Sequence, residues 1–526
     1  MRKTISLVLA CLLCVTLFAG CAGKDGGQTA SDAKVLNIAL DGAPNNLDVA
    51  MSSEDIASEV VYGSVFEKLT ALNGENKVIY ELAEDCQISE DNSVYTYTLR
   101  QGVKFHNGEE MKADDVVASM NRWIGAADNV KTLVGDARFE KVDDYTVQIK
   151  MKSGTPYLNE MIAGLGQQAV IMPASVLSKV AEGELVGQDD YIGTGPYKFS
   201  EWAADQYIKL EKNPEYTPYG TDGDYSGWGG YKHAYYDEVY FYFPGDTATV
   251  NSGVKTGEYD IASRLSVDNF GEFEGDDNYT IFGSKDQMPM LVFNKSQGVA
   301  SNATVRRAVQ AVINCDDVMF AATGNKDYYD LYSSYMFKDS PYWYSEAGSE
   351  NYNQGDPEAA KKLFDEAGWT DHDTFRILVR SDYAEFVLMA QVIQEELRAI
   401  GINCDVLTLD SATHSSVRNE HPEQWDAFIT SFGPKVMPNL NLFLSSSWAG
   451  WCTDERIQND LAAIAAESDL DTGMKLWNDL QGYMNTESVP VVTFGTYVLS
   501  GVCKSDIEGA FIKERLVWIN AHPVEA

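Results

Sequence analysis

The sequence predicts an α/β protein with mixed sheets and at least two lobes. Its 526 residues are too many for one compact core. Helical and strand patterns alternate from residue 35 onward. In the second half, strand "FRILVRS", helix "FVLMAQVIQEELRAIG" and strand "INCDVLTL" follow one another with short links. This succession indicates a βαβ unit and therefore a parallel pair of strands.

Period-two alternation and turn signals predict the strands of the first half. They are "VLNIAL", "VYTYTL", "YTVQIKM", "DEVYFYF", "MLVFN" and a hairpin over Gly193 to Asn213 that turns at Ala204 and Asp205. Helices are predicted for "EDIASEVVYGSVFEKL" and "VNSGVKT".

The second half is richer in helix signals. In "DPEAAKKLFDEAG", Asp356 is the expected cap, Pro357 the first helical residue and Gly368 the stop. The other predicted helices are "NATVRRAVQAVIN", "NDLAAIAAES" and "DTGMKLWNDLQGYMNTE", and the remaining strands are "WDAFITSFG" and "SVPVVTFGTYVL".

The N-terminus predicts export and lipidation. Arg2 and Lys3 precede an apolar run, Ile5 to Ala19, that is too short for an ordinary membrane span. The run ends in "LFAGC", which resembles a bacterial lipobox with Phe18 at the usual leucine position. Lipidation is therefore expected at Cys21, and an ordinary signal peptide cleaved nearby is the alternative. Residues 1–20 are the expected signal peptide and residues 21–34 a flexible tether.

Charge and cysteine content narrow the possible functions. The 40 Lys and Arg residues face 79 Asp and Glu residues, a formal net charge of −39, which argues against a nucleic-acid partner. The five cysteines beyond residue 21 are widely scattered, so we expect mostly buried free thiols and at most two disulfides. They are Cys86, Cys315, Cys404, Cys452 and Cys503.

No catalytic motif is visible. The chain lacks a G-x-S-x-G elbow, an H-E-x-x-H pair and a P-loop, so we predict no catalytic residue, cofactor or metal site. His414 and His421 are expected at the surface. "KFHNGEE" is dense in ligand-type residues, but Asn107-Gly108 is a turn signal, and we expect His106 to be a hydrogen-bonding structural histidine.

Several segments in order resemble the family 5 solute-binding proteins of bacterial ABC importers, the oligopeptide, dipeptide and nickel binders. The resemblance spans roughly Val35 to Phe494. It rests on "YTLRQGVKFHNGEEMKADDVVASMNRW", "GTGPYKFSEW" followed by "KNPEY", "GEYDIA", "LVFN" with "VRRAVQAVIN", "DPEAAKKLFDEAGW" and "IQEELRAIGINCDV".

This resemblance implies a two-lobed periplasmic-binding-protein fold of type II, cluster C, with mixed sheets, an extra inserted domain and a hinge near Phe293 and Pro490. Ligand would bind between the lobes, which would close by hinge motion. Lobe I would comprise residues 35–80, 190–290 and 490–526, the inserted domain 81–189 and lobe II 291–489.

The implied function is a lipid-anchored receptor, not an enzyme, that passes a small solute to an ABC permease and ATPase. An oligopeptide is the first expectation, and an oligosaccharide, an anionic solute or a metal complex is the alternative. The chain is expected to be a monomer that touches the membrane only through its lipid. A surface hydrolase and a signalling lipoprotein are further alternatives.

Candidate ligand contacts lie at strand ends and in the loops after them. Asn45 and Asn46 follow the first strand and would hydrogen-bond a ligand backbone. Arg264 and Arg380 each follow a strand, where a guanidinium can grip a carboxylate bidentately. The aromatic segment Ser334 to Glu346 would stack on a ligand. The alternatives are a turn, structural ion pairs and packing onto a lobe.

The loop after "WDAFITSFG" carries the remaining candidates: Phe432, Gly433, Lys435, Trp448 and Trp451. Peptide binders of the family commonly place an aspartate here that pairs with the ligand's amino terminus. This chain has "MPNLN" at that point, with no carboxylate over residues 429–451. Either another acid supplies that charge, or the ligand is not a free-amine peptide, because an unpaired buried ammonium is costly.

Overall fold

A computed structural model describes residues 33–221, 223, 225–340 and 342–524. The expected signal peptide, the lipidation site Cys21 and residues 21–32 of the tether lie outside the described residues. From Val35 onward the chain forms one compact unit. Within the described ranges, no helix combines the length and apolar character that a membrane crossing requires.

Most helices start where the sequence supplies a capping side chain. The Asp356 carboxylate accepts the N–H groups of Glu358 and Ala359, as predicted, and Pro357 takes the first helical position. The α-helices are α1 (Asp55–Val61), α2 (Ala113–Ala126), α3 (Asp128–Val134), α4 (Leu158–Ala163), α5 (Ala174–Leu177), α6 (Thr247–Thr256), α7 (Ala303–Val312), α8 (Cys315–Thr323), α9 (Pro357–Glu366), α10 (Ala384–Ala399), α11 (Ser411–Glu420), α12 (Glu455–Ala466) and α13 (Leu470–Tyr483).

The strands alternate with these helices along the whole chain. They are β1 (Val35–Ala39), β2 (Thr70–Leu72), β3 (Val78–Tyr80), β4 (Ala83–Ile88), β5 (Val94–Leu99), β6 (Phe139–Asp143), β7 (Thr146–Lys150), β8 (Tyr197–Ala203), β9 (Tyr207–Lys212), β10 (Glu238–Tyr242), β11 (Ile261–Ala262), β12 (Tyr279–Phe293), β13 (Tyr329–Asp330), β14 (Phe375–Arg380), β15 (Cys404–Leu409), β16 (Ala427–Phe432), β17 (Val491–Thr493), β18 (Thr496–Lys504), β19 (Ile507–Glu508), β20 (Phe511–Lys513), β21 (Arg515–Val517) and β22 (His522–Pro523).

The largest sheet is mixed and runs in the order β15-β14-β16-β12-β18-β11-β1-β10-β9-β8. The predicted βαβ unit is confirmed, because β14 and β15 pair in parallel on either side of α10. The long strand β12 pairs with β18 over Tyr279 to Gln287 and with β16 over Met288 to Phe293. One strand therefore joins the two halves of this sheet.

A separate antiparallel sheet, in the order β4-β5-β7-β6, carries the segment that looked like a metal site. Asp114 and Asp115 lie in the first turn of α2, where carboxylates favour the positive end of the helix dipole. Val116, Met120 and Trp123 form the buried face of that helix. The acidic residues thus belong to a helix start rather than to a ligand set.

His106 is a structural histidine. Its Nδ1 accepts the N–H of Gly193 at 3.2 Å, and its Nε2 donates to the Gly195 carbonyl at 3.0 Å. Burial lowers the pKa of the imidazole to about 4. Within the described residues, no group of three or more His, Cys, Asp and Glu is arranged to hold a metal ion.

Element bounds differ from the sequence expectation at three points. The helix expected through Leu69 ends at Val61, because the chain turns at Gly63, which has φ of +76°. The single strand predicted for "SVPVVTFGTYVL" is divided at Gly495 into β17 and β18. An added Cβ at this glycine would lie 2.0 Å from the Asp330 carbonyl oxygen. The strand expected at Met290 begins earlier, at Tyr279, because a polar stretch without alternation still pairs with β18.

The core contains free thiols and charges. The five described cysteines are buried and free, so the expectation of free thiols is confirmed for them.

A buried charge cluster is formed by four residues with 0% exposure each: Glu67, Lys68, Glu81 and Lys232. The Lys232 ammonium donates to Glu67 Oε1 at 2.9 Å and also to Glu81. These contacts join strand β3 to the segment that leads into β10.

Candidate ligand-binding cavities

A cavity of about 300 Å³ opens where strands of the large sheet end. Asp41 follows β1, and Ser263 and Arg264 follow β11, its parallel neighbour. Arg380 ends β14. The parallel strands β1 and β11 end side by side, which brings Asp41 and Arg264 together. Arg380 reaches the same cavity from β14, which runs in the opposite direction in this sheet. The first cavity is lined by Asp41, Ile56, Glu59, Ser263, Arg264, Gln287, Arg380, Tyr383, Phe386, His414, Arg418, Ile429, Thr430, Ser431, Tyr497, Leu499, Glu514 and Arg515.

Positive charge is concentrated in the first cavity. Four arginines and three carboxylates line it, whereas the whole chain has a net charge of −39. The arginines are Arg264, Arg380, Arg418 and Arg515, and the acids are Asp41, Glu59 and Glu514. Because low-dielectric walls focus such a field, this cavity attracts anions from the surface of an acidic protein.

The two predicted arginines converge on one aromatic ring. The Arg380 guanidinium lies 3.9 Å from the centre of the Tyr383 ring, and the Arg264 guanidinium lies 5.0 Å from it. Arg264 also pairs with Glu385 at 3.3 Å and Asp41 at 3.7 Å. Arg380 Nε is buried and has no hydrogen-bond partner among the described residues. The ring holds both cations at the cavity while leaving donor atoms unused.

Helix α11 supplies His414, which the sequence placed at the surface, and Arg418, which the sequence did not single out. His414 is 2% exposed, so the expected surface position is wrong for it, whereas His421 is exposed as expected. Burial and the neighbouring Arg418 and Arg380 lower the pKa of His414 to about 4, so the imidazole is neutral. Both of its ring nitrogens lack a hydrogen-bond partner in the described part of the chain. Arg418 lies four residues further along, 5.4 Å from the Trp448 ring centre.

A second cavity of about 310 Å³ shares Glu514 with the first. Its wall is mostly apolar and comes from the β2–β3 hairpin, the end of α4, the aromatic segment and the loop after β16. It is lined by Leu72, Asn76, Lys77, Val78, Glu160, Gly164, Leu165, Phe337, Asp339, Ser340, Tyr342, Pro434, Lys435, Val436, Leu440 and Glu514.

Glu514 places a carboxylate beside the 429–451 loop, which has none of its own. A Cβ added to Gly433 would lie 3.3 Å from Glu514 Oε2, so the carboxylate lies against that loop. The Glu514 backbone has φ of +60°, and its N–H donates to Asp286 Oδ2 at 2.8 Å. Burial raises the pKa of Glu514 to about 7, against the opposing effect of the Lys435 cation. No sequence pattern marks this residue, because it lies in a remote turn between β20 and β21.

The other predicted contacts lie elsewhere. Asn45 donates to the Glu54 carboxylate, and Asn46 Oδ1 accepts the N–H of Asp48, so both are engaged in a turn. Phe432 packs between Phe443 and Trp448. Trp451 stacks on Trp425 at 5.8 Å. None of Asn45, Asn46, Phe432, Gly433, Trp448 and Trp451 lines either cavity.

Some side chains of the aromatic segment, residues 334–346, lie in the core, and others line the second cavity. Tyr335 and Trp343 are buried in the core, whereas Phe337 and Tyr342 line the second cavity. Lys435 lines the second cavity as well, beside Glu514 rather than among the arginines.

Residues 77–451 match the model of the bacterial extracellular solute-binding proteins, family 5 middle region. The chain belongs to this family. It is 25% identical over 464 residues to a probable peptide ABC transporter periplasmic-binding protein of Sinorhizobium fredii, covering 85% of this chain and 86% of that protein. It is 24% identical to a glutathione-binding protein of Salmonella typhi over 462 residues, 84% of this chain and 85% of that one.

A solved structure confirms the fold. The crystal structure of CtaP, an ABC transporter substrate-binding protein of Listeria monocytogenes, superimposes with a TM-score of 0.78 at 21% identity, covering 92% of this chain and 96% of that one. The two-lobed type II fold predicted from the sequence is therefore present. The family 5 chain is an extracytoplasmic solute-binding receptor of an ABC importer, and the relatives named here are binding proteins rather than enzymes.

Proposed function

We propose that this family 5 chain is a lipid-anchored receptor that captures a short acidic peptide between its lobes and delivers it to an ABC permease and ATPase. The observation that carries the proposal is the placement of Arg264 and Arg380 around the Tyr383 ring, at the wall of the first cavity. Two held guanidinium groups form a ready site for a carboxylate.

The peptide class is supported by the relatives and by the charges of the cavity. One relative is named for peptides and another for glutathione, a tripeptide with two carboxylates. An arginine-rich first cavity suits a ligand with more than one carboxylate. Two carboxylates from outside the 429–451 loop, Glu160 and Glu514, line the second cavity and are available to a free amine, so the missing acid in that loop no longer argues against a peptide.

We assign the first cavity to a cleft between lobe I (35–80, 190–290 and 490–526) and lobe II (291–489), with 81–189 as the inserted domain. In support, Arg264 comes from the first group of residues and Arg380 from the second, and both line the cavity. Strand β12 pairs with β18 of the first group and continues along β16 of the second. A ligand held there would contact both lobes.

The hinge is proposed at the two crossings, near Phe293 and Pro490. The Lys295 ammonium donates to the Phe293 carbonyl at 2.9 Å and to the Pro490 carbonyl at 3.0 Å, so it ties the crossings together. Val489 beside them has φ of +42°, which is strained for a β-branched residue. Hinges absorb backbone change at a few such positions.

Anchoring through Cys21, a monomeric state and membrane contact through the lipid alone remain parts of this proposal, supported by the signal-peptide pattern. A non-peptide anionic solute is the second candidate, because the four arginines recognise carboxylates without requiring an amine. A hydrolase or a signalling lipoprotein on the same fold is less well supported, since the relatives are transport-associated binding proteins.

A thermal-shift screen of the purified mature protein tests the proposal. The panel contains acidic di- and tripeptides, their C-terminal amides, sugar acids, neutral oligosaccharides and Ni²⁺ complexes. We expect saturable stabilisation by the acidic peptides, a weaker effect of the amides and no product by mass spectrometry. Stabilisation by neutral sugars or Ni²⁺ alone, or turnover of any compound, would overturn the proposal.

A further inference from the structure

The two cavities adjoin at one side chain. Glu514 lines both and is buried at 8% exposure, and its backbone N–H donates to Asp286 Oδ2. A solute that occupied both cavities would therefore contact Glu514. The two spaces differ in chemistry, because the first is rich in guanidinium groups and the second is mostly apolar.

Most charges of the second cavity already have partners. Lys77 pairs with Glu75 at 2.7 Å. The Asp339 carboxylate accepts from Asn76 at 2.7 Å and from Lys513 at 3.1 Å. Lys435 lies close enough to Glu514 to lower its pKa. These contacts account for both cations and for two of the three acids, Asp339 and Glu514.

Glu160 is the acid of the second cavity that these contacts leave unaccounted for. It projects from the six-residue helix α4, and its Oε2 is buried with no hydrogen-bond partner in the described ranges. Burial raises the pKa of this carboxyl to about 6, so it is mostly ionised at neutral pH. The Glu160 residue as a whole is half-buried, but its buried oxygen lacks a partner among the described residues. This destabilises the empty protein, and a bound cation would relieve that cost.

We propose that the second cavity is a further binding compartment of the same site, where Glu160 receives a primary amine carried by an apolar part of the ligand. The inference rests on the proposed function. The ligand class it defines is a dipolar solute, with a carboxylate among the arginines of the first cavity and an apolar amine in the second. Leu72, Val78, Leu165 and Val436 would pack on the apolar part.

The test uses three synthetic probes: Leu-Gly-Glu, its N-acetyl form and Gly-Gly-Glu, titrated calorimetrically into the mature protein. Acetylation should weaken binding by roughly 30-fold or more, because it removes the charge that pairs with Glu160. Glu160→Gln should weaken Leu-Gly-Glu by a similar factor and leave the acetylated probe unchanged. Gly-Gly-Glu should bind less tightly than Leu-Gly-Glu.

Two further measurements make the outcome decisive. Val436→Trp should fill the second cavity and weaken Leu-Gly-Glu, whereas the exposed control Val142→Trp should not. Glu160→Gln should also raise the melting temperature of the empty protein at pH 8, since it removes an unpaired buried charge. A folded Val436→Trp protein with unchanged affinity, or equal binding of the free and acetylated probes, would overturn the compartment. Failure of all probes, or indifference to Arg380→Ala, would overturn the proposed function itself.

Discussion

Arg264 Nη2 lies 3.3 Å from Glu385 Oε1, and this contact joins the end of β11 to the first turn of α10. The same guanidinium is 3.7 Å from Asp41, beyond the end of β1. Arg264 therefore contacts residues from both proposed lobes at the wall of the first cavity. An ion pair in this position would favour the closed arrangement over an open one.

Glu385→Gln is expected to weaken binding of an acidic peptide by about 2–5-fold, because a partly exposed ion pair contributes up to about 1 kcal/mol. Calorimetry gives the affinity, and small-angle X-ray scattering gives the radius of gyration with and without ligand. Glu366→Gln on α9, whose partner Lys362 is 3.9 Å away at the surface, is the matched control. Unchanged affinity would remove the Arg264–Glu385 pair from the closure argument.

Arg380→Ala is expected to weaken binding of the same peptide by roughly 10–100-fold, since a hydrogen bond to a charged group contributes about 1.5–3 kcal/mol. If Arg380 contacts the C-terminal carboxylate of the peptide, the loss of affinity should be smaller for the C-terminal amide of the same peptide. Arg138→Ala is the control, because Arg138 is exposed in the proposed inserted domain and its guanidinium donates to the carbonyl of the neighbouring Ala137. Equal affinities of the two variants would exclude Arg380 from the site.

These residues show what the sequence could and could not predict. Arg264 and Arg380 were recognisable because each stands at the end of a buried strand, where a side chain is available to a ligand. Patterning also predicted the βαβ unit and the cap of α9. Signals of this kind depend only on a few residues that are neighbours in sequence. They can therefore be recognised before the tertiary fold is known.

The missed residues reach the cavity through long-range packing. Glu514 lies between two three-residue strands and Arg515 begins the second of them, so there is no alternation to interpret. Helix α11 is polar enough to look like surface, although His414 and Arg418 are four residues apart and so share one face. That spacing was the only available signal. Conversely, Asn45 and Asn46 follow a strand end, as expected for ligand contacts, but neither lines the first or the second cavity. Asn45 donates to the Glu54 carboxylate, and Asn46 accepts the N–H of Asp48.

His414 predicts a pH-dependent stability. Its folded pKa of about 4 is below its ordinary value of 6.5, so the unfolded chain takes up the proton first as the pH falls. Stability from the neutral imidazole is complete above pH 6.5 and is lost between about 6.5 and 4. The groups that face it are Arg380, Arg418 and Asp382, and the two cations strengthen the effect.

His414→Phe should therefore gain about 2 kcal/mol of unfolding free energy relative to wild type when the pH falls from 7.5 to 5. Phenylalanine should be tolerated, because neither ring nitrogen has a partner among the described residues and the ring meets Phe428 edge to face. Urea denaturation of the empty protein at both pH values measures the change. The exposed His372→Phe is the control, and parallel pH slopes for the wild type and His414→Phe would contradict the assignment.

The buried charge cluster makes the strongest stability prediction. Lys232→Met leaves Glu67 and Glu81 facing each other at 0% exposure, so the unfolding free energy should fall by about 3–5 kcal/mol. The control is Lys77→Met, which breaks an exposed pair with Glu75 and should cost less than about 1 kcal/mol. Urea denaturation at pH 7.5 compares the two variants. The triple variant Lys232→Met, Glu67→Gln, Glu81→Gln should recover part of the loss, because it removes the charges left unpaired. A cost for Lys232→Met no larger than that for Lys77→Met would mean that the cluster admits water or protons, and that its ion pairs do not join β3 to the segment before β10.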